Sequence, residues 1–459
     1  MTRVNLNLCA SCLEKQRTID RLQQEIQSLR EKVHRLERKA EAGPFGSSTP
    51  SAKIPVKANT AEERRSKPGG AQPGHAGHGR QAVEDTAAER IETIAVEPAC
   101  PYCGGVLEHK EYRDRSVIDS QPLRAEPILY RLERARCPRC GKTVQARAPE
   151  VLPKSLYGNQ LVTQVVFLHY RQGIPMGRLC DQLGIGLGAV FDILHRVAAL
   201  FRGVMGKLVE EYRQAPVRHA DETGWRTDGR SGYAWLFASA TVSLFLFRAT
   251  RSAQVPKEVL GTSALGGVLV VDRYNAYNRA PCALQYCYAH LMRDVEDLAK
   301  EFPGETEVTA FTSTLIPLLA EAMHLRGRPL ADADYYDQAR PLQQQIVDLV
   351  QQPANHLGVR QIQGIFRDHA HRLYHWVTNR AVPADNNRAE RELRPTVIAR
   401  KVSFGSQSDA GAKTREILMS VVHTLAKRVA DPEAHFKSVL DQLAADPTQD
   451  PAALLLDTS

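Results

Sequence analysis

Three acidic side chains in the second half of the chain have the type and the setting to bind divalent metal ions. Asp221 ends the β-type segment VRHAD, Asp272 ends the apolar segment GVLVVD, and Glu390 lies within DNNRAERELRP. Carboxylate oxygens suit Mg²⁺ and Mn²⁺, which keep several waters and take further ligands from phosphate groups. Two such ions about 3.5–4 Å apart stabilise both the attacking and the leaving oxygen of an in-line displacement. These residues therefore predict a two-metal site that acts on a phosphodiester.

Strands and one helix must bring these carboxylates together. From residue 216 the sequence predicts three strands in a meander, a helix, a buried strand ending in Asp272 and a further strand. After a helical region at 305–378 it predicts a last helix with Asp385 as its N-cap. The strand before Asp272 is a continuous apolar run, typical of a central strand covered on both faces. If it neighbours the first strand, Asp221 and Asp272 lie side by side. A structural salt bridge would explain the cluster only if basic partners filled it, and Asp221 by itself could instead cap a turn.

The third carboxylate has two candidates on the same predicted helix. Asn386, Glu390 and Arg394 share one face at i, i+4 and i+8. Glu392 lies about 200° from Glu390 around the helix axis, and both glutamates flank the apolar stripe of the helix. The spacing alone therefore leaves Glu390 and Glu392 open.

Two C-x-x-C pairs predict a structural zinc site. CPYCGG at 100–105 and CPRCGK at 137–142 each allow two thiolates to chelate one ion from a tight turn. Four thiolates with no open position describe a closed Zn²⁺ site, whereas four unligated thiols would leave a polar, Arg-rich segment with little to hold it together. A third pair, Cys9 and Cys12, lacks matching ligands and stays unassigned. The predicted zinc ligands are Cys100, Cys103, Cys137 and Cys140.

The N-terminal segment 13–40 carries a heptad repeat. β-branched residues occupy most a positions and leucine occupies the d positions, which favours a parallel two-stranded coiled coil. Across such a dimer Glu25 would pair with Arg30, and Lys32 with Glu37. A single amphipathic helix packed on the body is the alternative. The apolar positions of the repeat are Ile19, Leu22, Ile26, Leu29, Val33, Leu36 and Ala40.

Two further regions are candidates for contact with a nucleic acid. Within the linker predicted at 41–95, the stretch 64–80 is basic and glycine-rich, so it could follow a phosphate backbone or serve as a solvated tether. Its candidate DNA contacts are Arg64, Arg65, Lys67 and Arg80. Residues 155–213 are predicted to be helical, with a helix-turn-helix formed by 176–183, a turn at Gly184 and a second helix at 187–197. The second helix begins with residues that lack hydrogen-bonding side chains, so a plain helical hairpin is an equal alternative.

The composition of the chain favours a polyanionic partner and excludes other classes of protein. The 459 residues predict two to four domains, and an apolar share of 43% excludes overall disorder. A net charge of +8 and a pI of about 9.0 favour a nucleic-acid partner. No apolar run reaches the roughly 20 residues of a membrane span, and the N-terminus lacks the pattern of a signal peptide. We therefore expect a cytoplasmic protein that does not contact a membrane.

Three acidic motifs of the chain resemble those of a known family. HADETGW at 219–225, VLVVDRYNAY at 268–277 and DNNRAERELRP at 385–395 resemble the motifs of the DDE transposases of bacterial insertion sequences, in particular the insertion-sequence-sixty-six family. KPGGAQPGHAGHGR, the two cysteine pairs and the leading heptads also match the layout of that family, so that the resemblance extends from about 15 to 445. It implies a multidomain α+β protein with a ribonuclease-H-like α/β catalytic core that is interrupted by an all-helical insertion. The expected order is a coiled coil (13–40), a basic linker (41–95), a zinc ribbon (96–150), a helical DNA-binding region (155–213), the core (214–300 and 381–445) around the insertion (301–380), and a tail (446–459).

The resemblance also implies roles for single residues. The A-E-R of the family motif selects Glu390 as the third acid, and Asn386 is expected to assist the metal or the nucleic acid. CYAHLMRD at 287–294 resembles the C-x-x-H signature of some transposases, which makes Cys287 and His290 supporting residues, with a packing role as the alternative. Residues 386–428 hold nine basic and four acidic side chains, and either a phosphate-facing surface or a solvated helix face would explain this excess. The expected DNA contacts in this region are Arg388, Arg391, Arg394, Arg400 and Lys401.

The activity that the resemblance implies is DNA transposition. Such an enzyme binds the terminal inverted repeats of an insertion sequence, cleaves the 3′ ends with Mg²⁺ or Mn²⁺ and transfers them to target DNA. The expected partners are DNA, a second copy of the chain through the coiled coil, and two small accessory proteins of the same element. A nuclease of the same fold without strand transfer and a non-catalytic zinc-ribbon regulator are the alternatives.

Overall fold

The computed structural model describes residues 124–136, 138–140 and 143–457, together with separate helical positions between Thr18 and Val33. The predicted basic linker and three predicted zinc ligands, Cys100, Cys103 and Cys137, lie outside the described residues. Cys140 is described and is exposed, so the zinc ribbon stays a prediction. The described heptad positions are helical and about half exposed, from 46% at Ile19 to 52% at Val33, and the coiled coil also stays a prediction.

The first two described strands form a small antiparallel sheet. β1 (Arg134–Arg136) pairs with β2 (Thr143–Gln145), with Ala135 opposite Val144. The second predicted cysteine pair lies between these strands in the sequence. The local pairing therefore brings the two ends of that segment together.

A five-stranded mixed sheet forms the centre of the described fold. The first three strands form the predicted antiparallel meander, and the structure shows that the last two run parallel to the first. In space the strands follow the order β5-β4-β3-β6-β7. Their bounds are Val217–Thr227 (β3), Arg230–Ala238 (β4), Ser243–Arg248 (β5), Val268–Val271 (β6) and Ala283–Tyr286 (β7).

The central strand β6 is buried along its whole length. All four residues of VLVV are buried, which explains the continuous apolar run, because a parallel strand is covered on both faces. At the other side of β3, a two-residue turn joins β3 to β4. Its residues Asp228 and Gly229 have φ values of 52° and 70°, the left-handed backbone that tight hairpin turns require and that Asp-Gly favours.

Asp221 lies within β3 and does not end it. The sequence segment VRHAD is followed directly by ETGWRT, which continues the pairing with β4 up to Thr227. The expectation that the strand ends at Asp221 is therefore wrong for the antiparallel side. On the parallel side the expectation is close, because the pairing of β3 with β6 runs only as far as His219 and Val270.

Helices precede the sheet, cover it and connect its strands. The helix that carries Glu390, α11, packs on β3 and β4, and the next helix, α12, packs on β5. α12 is buried over most of its length, because it lies between the sheet and the preceding helices. The helices are α1 (Asn159–Tyr170), α2 (Met176–Leu183), α3 (Leu187–Leu200), α4 (Val204–Gln214), α5 (Gln254–Leu260), α6 (Tyr288–Glu301), α7 (Thr306–Leu325), α8 (Asp332–Gln351), α9 (Leu357–Asp368), α10 (His375–Thr378), α11 (Asn387–Ser403), α12 (Asp409–Arg428), α13 (Pro432–Ala445) and α14 (Pro451–Leu456).

The region before the sheet contains the predicted pair of helices. α2 and α3 meet at an angle of 109°, and Gly184 between them has a φ of 68°, a conformation that glycine adopts at little cost. The predicted shared core of Leu179, Leu183, Val190 and Leu194 is buried. The two helices are therefore present with the predicted bounds at the turn, and their use in DNA recognition stays a prediction.

The region between β7 and α11 is helical, as the sequence predicts. It contains α6 to α10, and α7 packs on α6 and α8. Among the described helices, α7 alone is long and apolar enough by itself to cross a membrane, with a mean hydropathy of 1.3. Its residues Val308, Leu315 and Leu319 are fully buried, which is the pattern of a core helix.

Candidate active site

Asp221 and Asp272 meet at one edge of the parallel pairing. The register sets Val217 opposite Val268 and His219 opposite Val270. Asp221 and Asp272 each follow two residues later, on or directly after these two strands. Both side chains are half-buried, and each accepts a hydrogen bond of 2.9 Å from a nearby backbone N–H, that of Glu222 or that of Tyr274. The strand order thus explains why two aspartates that are distant in sequence lie together.

Asn386 joins the start of α11 to a defined position along β3. Its side-chain Nδ2 donates to the carbonyl of Ala220 at 2.8 Å, and its Oδ1 accepts from Nδ1 of His219 at 2.9 Å. Its backbone N–H donates to Sγ of Cys287 at 3.1 Å. Asp385 was expected as the N-cap, but Asn386 occupies that position, while Asp385 accepts from the backbone N–H of Asn387 at 3.0 Å.

The anchor at Asn386 aligns Glu390 with Asp221. Four helical residues advance about 6 Å, and two strand residues advance about 6.7 Å. The step from Asn386 to Glu390 therefore matches the step from His219 to Asp221. Further along the same helix, Nη1 of Arg400 donates to Oγ1 of Thr223 at 3.0 Å, so α11 follows β3 in the direction of the strand.

Glu392 has different neighbours from Glu390. Its Oε2 accepts from Oγ of Ser243 at 2.7 Å and lies 2.8 Å from Nζ of Lys427, and Arg388 lies 3.9 Å away. The carboxylate thus joins α11 to the start of β5 and to α12. This environment fits a structural ion pair, whereas the charge of Glu390 acts on Asp221 and raises the pKa of that aspartate.

Mutual repulsion of carboxylates characterises the site. Burial raises the pKa of Asp221 well above its usual value, and the neighbouring charges of Glu222, Asp272 and Glu390 raise the pKa further. A buried cluster of like charges is unfavourable unless a cation or a proton compensates it. The donor set of oxygen atoms and the repulsion at Asp221 fit a divalent cation such as Mg²⁺ or Mn²⁺.

Side chains of α6 surround Glu390. Nη2 of Arg293 lies 3.4 Å from Oε1 of Glu390, and Nδ1 of His290 lies 4.0 Å from the same oxygen. Ligand atoms of Cys287, His290 and Glu390 lie within 4.8 Å of one another. Burial raises the pKa of the Cys287 thiol to about 12, so this sulfur is a neutral thiol that accepts the hydrogen bond from Asn386. The two supporting residues therefore differ: Cys287 belongs to the hydrogen-bond network, and His290 borders the third carboxylate.

A second buried acid lies directly next to Asp221 and was missed by the sequence analysis. The two oxygens of Glu222 are bound by Tyr277 Oη and by Arg251 Nη2, each at 2.5 Å. The guanidinium of Arg251 lies 3.9 Å from the centre of the Tyr274 ring, and Tyr274 is the residue whose N–H holds Asp272. The network therefore ties the segment after β6 to β3. Two tyrosines in DRYNAY and the acid after Asp221 were the available signals.

The predicted basic residues of α11 fall into two groups. Arg391, Arg394 and Lys401 are exposed and are able to meet a phosphate. Arg400 is buried, and its Nη1 also donates to the carbonyl of Gly224 at 2.5 Å, so its position is that of an anchor. Arg388 is half-buried, donates to the carbonyl of Ser239 at 3.2 Å, and lines a cavity of about 520 Å³ with Arg391.

The described fold and site define an α+β protein with a carboxylate cluster suited to divalent metals. Residues 154–414, more than half of the chain, match the family described as Transposase IS66 family, and the chain belongs to this family. The resemblance seen in the sequence motifs is thereby confirmed.

Two proteins of Sinorhizobium fredii are similar to most of the chain. Uncharacterized protein y4hP is 22% identical, with 78% of this chain and 73% of that protein covered. Uncharacterized protein y4qI is 26% identical, with the same shares covered. Their names add no activity to that of the family.

Proposed function

We propose that the chain is a metal-dependent DNA transposase in which Asp221, Asp272 and Glu390 hold Mg²⁺ or Mn²⁺. The observation that carries the proposal is that the three carboxylates lie at one height along the sheet: Asp221 on β3, Asp272 directly after the neighbouring parallel strand β6, and Glu390 on the helix anchored beside them. The strand order, with a meander followed by two parallel strands on its other side, fits a ribonuclease-H-like core. Membership of the transposase family supports the same reading.

The carboxylates would perform two tasks during the reaction. Bound divalent ions supply activation of the attacking oxygen and stabilisation of the leaving oxygen at a phosphodiester. Asp221 and Asp272, fixed by the backbone N–H groups of Glu222 and Tyr274, present oxygens from a rigid sheet edge. Glu390 comes from a helix and completes the set. The same site would first direct water to release a 3′-OH and then direct that hydroxyl to target DNA, so the reaction needs no covalent intermediate with the protein.

Basic side chains beside the carboxylates would hold the DNA backbone. Arg391, Arg394 and Lys401 are exposed on α11, where contacts with phosphates set the position of a duplex without reading its sequence. In this proposal Arg388 and Arg400 hold α11 in position and do not contact DNA, because their guanidinium groups donate to backbone carbonyls of the protein. The helical pair α2 and α3, the predicted zinc ribbon and the basic segment at 64–80 would bind the terminal inverted repeats.

The assembly is also part of the proposal. The heptads at 13–40 would join two chains in a parallel coiled coil, so that two DNA ends are held together. Two small accessory proteins of the same element would complete the assembly. Deletion of residues 1–45 tests the coiled coil: the mass in light scattering should fall, and an unchanged mass would contradict it.

A strand-transfer assay tests the proposed chemistry. The full chain is incubated with Mn²⁺ and labelled DNA that carries the ends of the element, and both hydrolysed and joined products are measured. Asp221→Ala and Asp272→Ala should each reduce both products at least 100-fold, and Asp337→Ala, an exposed acid of α8, should leave them unchanged. Cleavage that survives both aspartate variants would refute the metal-site assignment.

The products also separate the alternatives. Hydrolysed ends without joined products, under conditions in which the ends are bound, would identify a nuclease. Bound ends without either product at any divalent ion concentration would identify a regulator. Joined products that depend on Asp221 and Asp272 are the outcome that we expect.

A further inference from the structure

One ring nitrogen beside Glu390 lacks a hydrogen-bond partner. Nδ1 of His290 is buried, although part of the ring is exposed, and none of the described residues donates to it or accepts from it. A buried polar atom without a partner costs about 1–3 kcal/mol, so such an atom near a functional site requires an explanation. His290 lies in the first turn of α6, where the helix faces Glu390.

The distance between His290 and Glu390 distinguishes a hydrogen bond from a shared ion. Nδ1 lies 4.0 Å from Oε1, whereas a hydrogen bond between such atoms needs about 2.7–3.2 Å. Zn²⁺ binds imidazole nitrogen at about 2.0–2.1 Å and carboxylate oxygen at about 2.0–2.2 Å, and Mg²⁺ binds oxygen at about 2.0–2.1 Å. Two ligands of one such ion are therefore up to about 4.3 Å apart, and the observed separation lies within that limit.

We propose that His290 binds, through Nδ1, the divalent ion that Glu390 holds. The proposal rests on the function proposed above and adds a nitrogen ligand to the oxygen donors. Cys287 lies in the same group of possible ligands, but a soft sulfur donor does not suit Mg²⁺ or Mn²⁺, and its sulfur accepts the backbone N–H of Asn386. Arg293 lies 3.4 Å from Glu390 and is 44% exposed, so the guanidinium is able to move into solvent when a metal ion replaces its charge.

A nitrogen ligand changes the metal preference of the site. Mg²⁺ is a hard cation that takes oxygen ligands, whereas Mn²⁺ is the first member of the first-row series of ions that also bind at nitrogen sites. Loss of His290 should therefore weaken binding of Mn²⁺ more than binding of Mg²⁺. We expect His290→Ala to raise the Kd for Mn²⁺ about tenfold or more, and to raise the Kd for Mg²⁺ by a smaller factor.

Pulsed electron paramagnetic resonance of Mn²⁺ bound to the full chain tests this ligand directly. We expect echo modulation from a coordinated ¹⁴N nucleus, and replacement of all histidines by ¹⁵N-labelled histidine should change that modulation in the unaltered protein. His290→Ala should abolish the nitrogen signal. The matched control is His356→Ala, since Nδ1 of His356 is also buried without a partner among the described residues but belongs to a different part of the fold.

The outcomes distinguish this inference from the proposed function. Mn²⁺ that binds with dependence on Asp221 but shows no nitrogen coupling would overturn the role of His290 and leave the proposed function standing. A nitrogen signal that persists in His290→Ala would also overturn it. The absence of any Mn²⁺ binding by the full chain would overturn both.

Discussion

Nδ1 of His219 donates to Oδ1 of Asn386 across 2.9 Å, and this bond joins the strand that carries Asp221 to the helix that carries Glu390. His219 lies two positions before Asp221 on β3, and Asn386 lies four positions before Glu390, at the start of α11. Asn386 also donates to the carbonyl of Ala220 at 2.8 Å. The relative position of the two acids therefore depends on a buried contact that involves neither of them.

Asn386→Ala should reduce both stability and activity. The variant leaves Nδ1 of His219 and the carbonyl of Ala220 without a partner in a buried region, which costs about 1–3 kcal/mol for each unsatisfied group. The start of α11 also loses its attachment to β3, so we expect DNA cleavage to fall at least tenfold. Chemical denaturation and the cleavage assay measure the two effects.

The neighbouring asparagine provides the matched control. Asn387 is half-buried and begins α11, so Asn387→Ala should change stability by no more than about 0.5 kcal/mol, as is usual for substitutions away from buried contacts. Equal effects of the two substitutions would contradict the anchoring role of Asn386.

Glu390→Gln and Glu392→Gln should separate catalysis from stability. Glu390→Gln removes a proposed metal ligand and should abolish cleavage while the melting temperature stays level or rises. Glu392→Gln removes the charge that pairs with Lys427 at 2.8 Å, and this ion pair is largely buried. Loss of one partner of a buried pair is destabilising, so Glu392→Gln should lower the melting temperature and keep most of the cleavage activity.

One result would contradict the roles assigned to Glu390 and Glu392. If Glu392→Gln abolishes cleavage without loss of stability and Glu390→Gln cleaves normally, the two roles are exchanged. Protein from both variants should be compared at equal folded concentration, because loss of folded protein would otherwise mimic loss of catalysis.

The sequence predicts the strand order of the sheet and the positions of Asp221 and Asp272 beside its central strands, because both follow from local patterns. The apolar run VLVV identifies the central strand, and an aspartate at its end is costly unless it has a function. The choice between Glu390 and Glu392 could not be made in this way. It depends on Ser243 and Lys427, which are distant in sequence and lie on other elements.

Other features were missed for the same physical reason. The extension of β3 beyond Asp221 results from pairing with β4, and the burial of Arg400 results from contact with β3. Propensity and charge patterns describe one segment at a time, and an arginine on a basic helix has the same local pattern whether it binds DNA or a carbonyl. The network of Glu222 with Tyr277 and Arg251 likewise joins three separate segments.

Asp221→Asn should stabilise the protein in the absence of divalent ions. Burial and the neighbouring carboxylates raise the pKa of Asp221, so the folded protein holds this proton to higher pH than the unfolded chain does. The free energy of unfolding therefore falls as the pH rises from about 4 through the raised pKa. Asparagine removes this cost, and at pH 8 we expect a melting temperature that is higher by up to a few degrees, since about 1 kcal/mol corresponds to about 2–4 °C in a domain of about 150–250 residues and to less in a larger one.

Divalent ions should reverse the order of the melting temperatures of the unaltered chain and Asp221→Asn. A ligand at 100 times its Kd stabilises the folded state by about 2.7 kcal/mol, so Mn²⁺ should raise the melting temperature of the unaltered chain and leave that of Asp221→Asn nearly unchanged. An Asp221→Asn protein that is less stable without metal, or that gains equally from Mn²⁺, would show that the carboxylate is not part of a repulsive metal site.

The protein should lose stability in mild acid through histidines that are buried in neutral form. Burial lowers the pKa of His169, His219 and His423 to about 4 from a usual value of 6.5. At His169 the cause is visible in the contacts: Nδ1 lies 2.8 Å from the carbonyl of Ile174 and must donate. Nε2 lies 3.0 Å from Nη2 of Arg415 and must accept, because arginine only donates.

Protonation of these rings therefore favours the unfolded chain. Each depressed histidine contributes stability that is fully present above pH 6.5 and is lost as the pH falls toward 4, because the unfolded chain binds a proton that the folded protein does not. The loss is about 1.4 kcal/mol per pH unit for each such histidine. His169→Gln should lower stability at pH 7.5 but give a shallower decline of the free energy of unfolding between pH 6.5 and 4, measured by urea denaturation at a series of pH values.

His324→Gln, at an exposed position at the end of α7, should keep the pH dependence of the unaltered protein. An unchanged slope in His169→Gln would mean that the ring is not neutral in the fold.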